Sequence, residues 1–134
     1  MKITIWRWLA GAFLLFMLGV AIAADRGTIP TWIRNLYHFQ GGDWVGHFVL
    51  YGILAYLGIR AFSQRVLVGG HSVPLALLVV ILLAALEELS QFWFPLRTPD
   101  WRDLSFGVLG SLTATWLALR AKLTPAGDNP GARR

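Results

Sequence analysis

The chain has 134 residues, 56% hydrophobic and only 14% charged, with seven Trp, a mean hydropathy of +0.56 and a net charge of +5. A soluble domain of this size carries more charge on its surface, so the composition excludes an ordinary water-soluble fold and points to a single small integral membrane domain. The absence of cysteine excludes disulfides and thiolate chemistry, and the twelve Lys and Arg lie at the ends of apolar segments, which argues for membrane anchoring and against a nucleic-acid partner.

The first apolar run covers residues 8–24, with Lys2 and Arg7 before it and Asp25 and Arg26 after it. Its 17 uncharged residues meet the lower limit of about 17–20 needed to cross a hydrocarbon core. Ala21-Ile22-Ala23 before Ala24 resembles a secretory cleavage site. The run is long for a signal, however, and Gly11, Gly19 and Ala23 offer a small-residue packing face, so a retained span is expected. Residues 31–39, TWIRNLYHF, mix Trp32, Ile33, Leu36, Tyr37 and Phe39 with Arg34 and His38. This composition predicts a short segment lying flat at the membrane interface, with His38 solvated there.

The second span is expected over 44–60, apolar except for His47. Asp43, His47 and Tyr51 recur every four residues at its head, and four residues advance a helix by about 400°, so the three share one stripe. Singly, each has a bland reading: helix cap, interfacial snorkel, aromatic belt. Together they are harder to dismiss, because His47 lies about one turn inside and an ionisable group there needs a partner. Asp43 is the expected partner, fixing the imidazole tautomer and leaving the other nitrogen aimed into the bundle as a base or metal ligand.

After a loop marked by Gly69-Gly70, the third span is expected over 73–94. It begins as nearly pure Leu, Val, Ile and Ala and ends in Glu87-Glu88-Leu89-Ser90-Gln91. Carboxylates at this depth must be paired, protonated or open to water. Glu88 and Gln91 share a face, whereas Glu87, about 100° away, is not expected to share a partner with Glu88. Pro95 and Pro99 shape the next connection around Arg97, which suits Glu88 or an anionic ligand as its partner. Asp103 is expected near the start of the fourth span, over 104–120, where an acid also suits a helix N-terminus. Gly107, Ser111 and Thr115, with Gly110, Ala114 and Ala118 on the adjacent row, are a packing surface.

The expected fold is therefore an all-α membrane bundle of four spans over residues 1–122, followed by a disordered cytoplasmic tail, 123–134. The segment ends assigned inside hold eight basic residues against four outside, which puts both termini in the cytoplasm. Six of the seven carboxylates then lie at the outer face, where Asp43, His47, Glu88, Gln91, Arg97 and Asp103 converge.

The order and spacing of DWVGHFVLYG, EELSQFWFPLRTPDWRD, Gly107 and Gly110 resemble the VanZ-like family over roughly residues 40–118. The resemblance implies a multi-span protein of the bacterial cytoplasmic membrane, in a family named for a member linked to teicoplanin resistance. The family's polar positions correspond here to Asp43, His47, Tyr51, Glu88, Gln91, Arg97 and Asp103. Its usual Asn four residues after the last Asp is replaced by Gly107, which puts ligand binding at that position in doubt.

Two functions follow from this reading. In the first, an outward pocket takes a lipid-linked or saccharide envelope ligand, with Asp43, His47 and Glu88 as candidate catalytic groups and Tyr51, Gln91, Arg97 and Asp103 as binding groups. In the second, the protein is a non-catalytic accessory whose polar layer fixes helix packing. Proton-linked transport is the least supported, since no charge reaches mid-membrane. No cofactor is expected, and no metal ligand is assigned. An oxygen-rich set of Asp43, His47, Glu88 and Asp103 with one imidazole does not favour a closed zinc site. Membrane lipid is the expected surrounding partner.

Overall fold

The computed structural model describes residues 2–36, 39 and 41–123, with side chains for 5–35, 39 and 41–121. The elements in chain order are α1 (Lys2–Asp25), α2 (Thr31–Leu36), α3 (Gly42–Ala61), β1 (Arg65–Val68), β2 (His71–Pro74), α4 (Leu75–Ser90) and α5 (Trp101–Leu123). A 3-10 turn over Gln91–Trp93 prolongs α4. Four helical segments are long and apolar enough to cross a membrane: Ile5–Asp25, Gly42–Ala61, Leu75–Trp93 and Trp101–Ala121. The protein is a multi-pass membrane protein. Of the tail expected to be disordered, only Leu123 falls within the described residues, and the expectation for His38 also lies outside them.

The helix ends follow from local chemistry. At the end of α1, Gly27 adopts φ 66°, and the N–H groups of Gly27 and Thr28 donate to the carbonyls of Ala24 and Ala23. This is the Schellman arrangement, which satisfies otherwise orphaned carbonyls. At the start of α5 the capping acid is Asp100, whose Oδ1 accepts the Arg102 N–H at 2.9 Å. Asp103, one turn on, is thereby free to point elsewhere. The third span begins two residues later than expected, because Val73 and Pro74 belong to β2.

That β2 strand pairs with β1 in an antiparallel hairpin, from Arg65↔Pro74 to Val68↔His71. Gly69 and Gly70, at φ 56° and 81°, make the two-residue turn whose positive φ values match strand twist. Arg65 braces the hairpin by donating to the Ser72 hydroxyl at 2.8 Å and to its carbonyl at 2.6 Å. The β-branched and apolar run in RVLV, followed by Gly-Gly, is a hairpin signature, so Gly69-Gly70 is a hairpin turn and not an ordinary loop.

Helices α3 and α5 form the closest pair in the bundle. A Cβ placed at Gly110 would collide with the backbone carbonyl of Phe48, and one at Gly52 would lie 3.2 Å from the Gly110 carbonyl oxygen. Gly107, Gly110, Ser111, Thr115 and Ala118 of α5 are all buried. Ser111 donates within α5 to the Gly107 carbonyl at 2.8 Å and reaches the Tyr51 carbonyl of α3 at 3.4 Å. Lipid is as apolar as a leucine side chain, so helices in a bilayer gain from close backbone approach and small residues at the contact.

Around this pair two apolar clusters form. Tyr51, Leu54 and Ala55 of α3 pack with Val80 and Ala84 of α4, and α1 covers them with Phe13, Leu14 and Met17. Nearer the other end, Ile59, Leu77 and Ala118 pack together. The rest of α1 is largely exposed along Trp8, Leu15 and Phe16. Gly11 and Gly19 are exposed as well, and a Cβ at either would meet nothing within 4 Å. The small-residue packing face expected on α1 is therefore not used within this chain: α1 docks through its larger side chains.

The two ends of the bundle differ in charge. At one end Arg60 lies 4.9 Å over the Trp6 ring and Arg7 5.6 Å over Phe62, so the start of α1 meets the end of α3. At the other end, α3 begins with Asp43, α4 finishes with Glu87 and Glu88, and α5 starts with Asp103.

Gly110→Val forces a side chain into the Phe48 carbonyl and is expected to destabilise the protein by about 3 kcal/mol or more, the upper end of overpacking effects. Gly11→Ala, with open space around it, is expected to stay within about 0.5 kcal/mol. Thermal unfolding of the two variants in detergent checks the contrast.

Candidate functional site

The acidic ends of three helices meet in one polar layer, and its centre is the end of α4. Residues i, i+3 and i+4 of a helix are neighbours, and Gln91 stands in those relations to Glu88 and Glu87. Its Nε2 donates to Glu87 Oε1 at 3.0 Å and to Glu88 Oε2 at 3.4 Å. Gln91 is 2% exposed and Glu88 7%. The expectation that the two glutamates would not share a partner is corrected here: one amide holds both.

The loop between α4 and α5 supplies the counterparts. Arg97 Nη2 donates to Glu87 Oε1 at 3.1 Å, so the guanidinium chooses Glu87 and not the expected Glu88. Glu88 Oε1 instead accepts the backbone N–H of Asp100. Position explains the exchange. Glu88 points into the bundle, where the rigid loop backbone reaches it, while Glu87 faces the more open side within reach of a long side chain. Satisfying these carboxylates matters, since an unpaired acid at membrane depth costs roughly 3 kcal/mol on insertion scales.

Helices α3 and α5 complete the layer. His47 Nε2 lies 3.9 Å from Asp103 Oδ2, and its ring centroid is 5.7 Å from that of Tyr51. Tyr51 is buried and lies near enough to Glu87 and Glu88 to feel both carboxylates. The carboxylate facing His47 is thus Asp103 across the helix contact, in place of the expected Asp43. Asp43 is exposed and stands at the rim. The cause is the close α3–α5 approach, which brings the first turn of α5 beside the second turn of α3.

All seven residues singled out from the sequence, apart from Glu88, line one cleft of about 1070 Å³; Glu88 lies immediately behind Gln91. The cleft runs between α1 and the α3–α4 side of the bundle. Its polar groups lie at one end, and Leu14, Met17, Leu18, Leu50, Leu54 and Leu83 form its apolar wall.

The sequence model of the family described as VanZ/LLP1 matches residues 8–122. The chain belongs to the VanZ/LLP1 family. No curated protein and no solved structure matches it.

In this VanZ/LLP1 protein, a Cβ at Gly107 would lie 3.2 Å from the Tyr51 ring. The Tyr51 ring thus occupies the space beside position 107.

Two contributors were missing from the candidate set. Glu87 stands out in the sequence as a charge at membrane depth, and its i, i+4 relation to Gln91 is the signal that points to its role. The Asp100 N–H, a main-chain donor, has no side-chain signature in the sequence.

Because Arg97 pairs with Glu87, the double-mutant cycle of Arg97→Ala with Glu87→Ala should show a coupling of about 1–3 kcal/mol. The cycle of Arg97→Ala with Glu88→Ala should show clearly less. Chemical or thermal unfolding of the four single and double variants in detergent measures both.

Proposed function

We propose that the polar layer is the head of an outward-facing pocket in the bacterial cytoplasmic membrane that binds a lipid-linked envelope ligand. The observation that carries this reading is the cleft, apolar along the bundle and polar at one end. Acyl or isoprenoid chains suit the Leu-rich wall, and a polar headgroup suits the His47, Gln91 and Arg97 end. Arg97, held by a single bond to Glu87, presents its remaining donors to an anionic group such as a phosphate or carboxylate. His47, with one ring nitrogen facing Asp103, is the group suited to accept or donate a proton. Asp43 at the rim and Tyr51 beneath the imidazole bound the same space, with Glu88 and Gln91 holding the floor. The family's association with resistance to teicoplanin, which acts at the wall outside the membrane, agrees with a ligand of the envelope.

The orientation belongs to the same proposal. The basic excess on the segments joined by Arg7, Arg60 and Arg65 favours that end as cytoplasmic, leaving the carboxylate end outside. Cysteines substituted for the exposed Asp43 and Leu96 should react with a membrane-impermeant thiol reagent on intact cells, and one substituted for Leu67 in the hairpin should not. The reverse pattern would invert the protein and end the outward-pocket reading.

The accessory reading keeps one observation in its favour: the Arg97–Glu87–Gln91–Glu88–Asp100 network ties a loop to a helix end and would hold the bundle's register with no ligand at all. Glycopeptide susceptibility of cells carrying variants separates the two. On the pocket reading, His47→Ala and Arg97→Ala return susceptibility to the level without the protein, at unchanged abundance in the membrane. On the accessory reading, Glu88→Gln, which keeps an oxygen to accept the Asp100 N–H, preserves function, and losses in the alanine variants track losses of protein.

A further inference from the structure

His47 of α3 and Glu87 and Glu88 of α4 each offer a ligand atom, and the three atoms lie within 4.8 Å of one another. Two ligands at about 2.1 Å from one ion stand at most about 4.2 Å apart. Three ligands in tetrahedral positions around one ion stand only about 3.4 Å apart, so side-chain rotations closing the set by up to about 1.4 Å would bring them to bonding distance. Such a cluster alone signifies little, but a separate observation points the same way. Asp103 is 8% exposed, and its Oδ1 is buried with no hydrogen-bond partner. Buried carboxylate oxygens nearly always have one. Its other oxygen faces His47 Nε2 at 3.9 Å, beyond hydrogen-bond length.

Charge balance supports the same conclusion. Glu87, Glu88 and Asp103 are three acids, and among the described residues Arg97 is the one Lys or Arg in ion-pair contact with any of them, so the layer has more acids than cationic partners. Arg97 and Gln91 both engage Glu87 through Oε1.

We propose that His47, Glu87 and Glu88 hold a divalent transition-metal ion, with Asp103 completing the anionic wall around it. One imidazole among carboxylate oxygens suits Mn²⁺, Fe²⁺ or Zn²⁺ in an open site. Mg²⁺ and Ca²⁺ take oxygen ligands, and a closed structural zinc site would need more nitrogen or sulfur. The inference rests on reading this layer as a ligand site and deepens it: an ion here keeps open positions toward the cleft, where an anionic headgroup beside Arg97 would bind.

The test uses the full chain, purified in detergent and stripped with chelator, and the metal alone. Titration with Mn²⁺ followed by electron paramagnetic resonance, and with Zn²⁺ by calorimetry, should give one ion per chain at micromolar dissociation constant. Spin-echo modulation from an imidazole nitrogen should appear on the bound Mn²⁺. His47→Gln should remove that nitrogen signal, and both it and Glu87→Gln should weaken binding at least tenfold, with Leu67→Ala unchanged. The wild-type spectrum keeps the proposal testable even if a variant fails to fold. No saturable binding of either ion, or bound Mn²⁺ without nitrogen modulation, overturns the metal site. Since no envelope ligand enters this measurement, its failure leaves the pocket reading standing. Metal binding together with full resistance in Arg97→Ala would overturn the pocket reading alone.

Discussion

The backbone contact between α3 and α5 is the constraint from which the polar layer follows. Gly110 lies against the Phe48 carbonyl and Gly52 against the Gly110 carbonyl, an approach that no residue with a side chain would allow at Gly110. In water, hydrophobic burial would hold such helices together even at a wider crossing filled by larger side chains. In lipid that driving force is absent, and van der Waals packing with interhelical hydrogen bonds must supply the attraction. Close approach at glycine is thus the means of association and also the device that carries Asp103 to His47. A wider crossing would leave both groups at membrane depth without each other.

The second feature is the economy with which the end of α4 satisfies its acids. Two adjacent carboxylates at the end of a long apolar helix would ordinarily repel and be expensive to bury. Here one Gln91 amide bridges them, a short proline-bounded loop returns Arg97 to one, and its backbone N–H at Asp100 meets the other. The loop is both the connection to α5 and part of the site. That dual role explains why it is short, and why Asp100, with its side chain capping α5 and its N–H on Glu88, is central to it. A shift in this loop would disturb the start of α5 and both glutamates together.

Set against those fixed elements, α1 is the loosest part of the bundle. It contacts the core through Phe13, Leu14 and Met17 and otherwise faces lipid, and the cleft lies on its inner side. A ligand with an apolar chain would therefore meet one adaptable wall and one rigid one, with the rigid wall carrying the polar groups.

The sequence by itself determined the membrane class, the four spans, the small-residue surface of α5 and the collection of polar residues at one end of the bundle, since each rests on composition or on a period of 3.6 residues. Glu87, through its spacing to Gln91, and the hairpin, through RVLV and Gly-Gly, are legible there too. Only the tertiary structure decided the pairings: Arg97 with Glu87, Asp103 facing His47, the Asp100 N–H on Glu88, and the bare Gly11 and Gly19 on α1. Helical periodicity tells which side chains share a face on one helix. Partners on different helices depend on crossing distance and rotation, which are set by the sum of many weak contacts along the whole interface, and loop backbone donors leave no trace in residue identity.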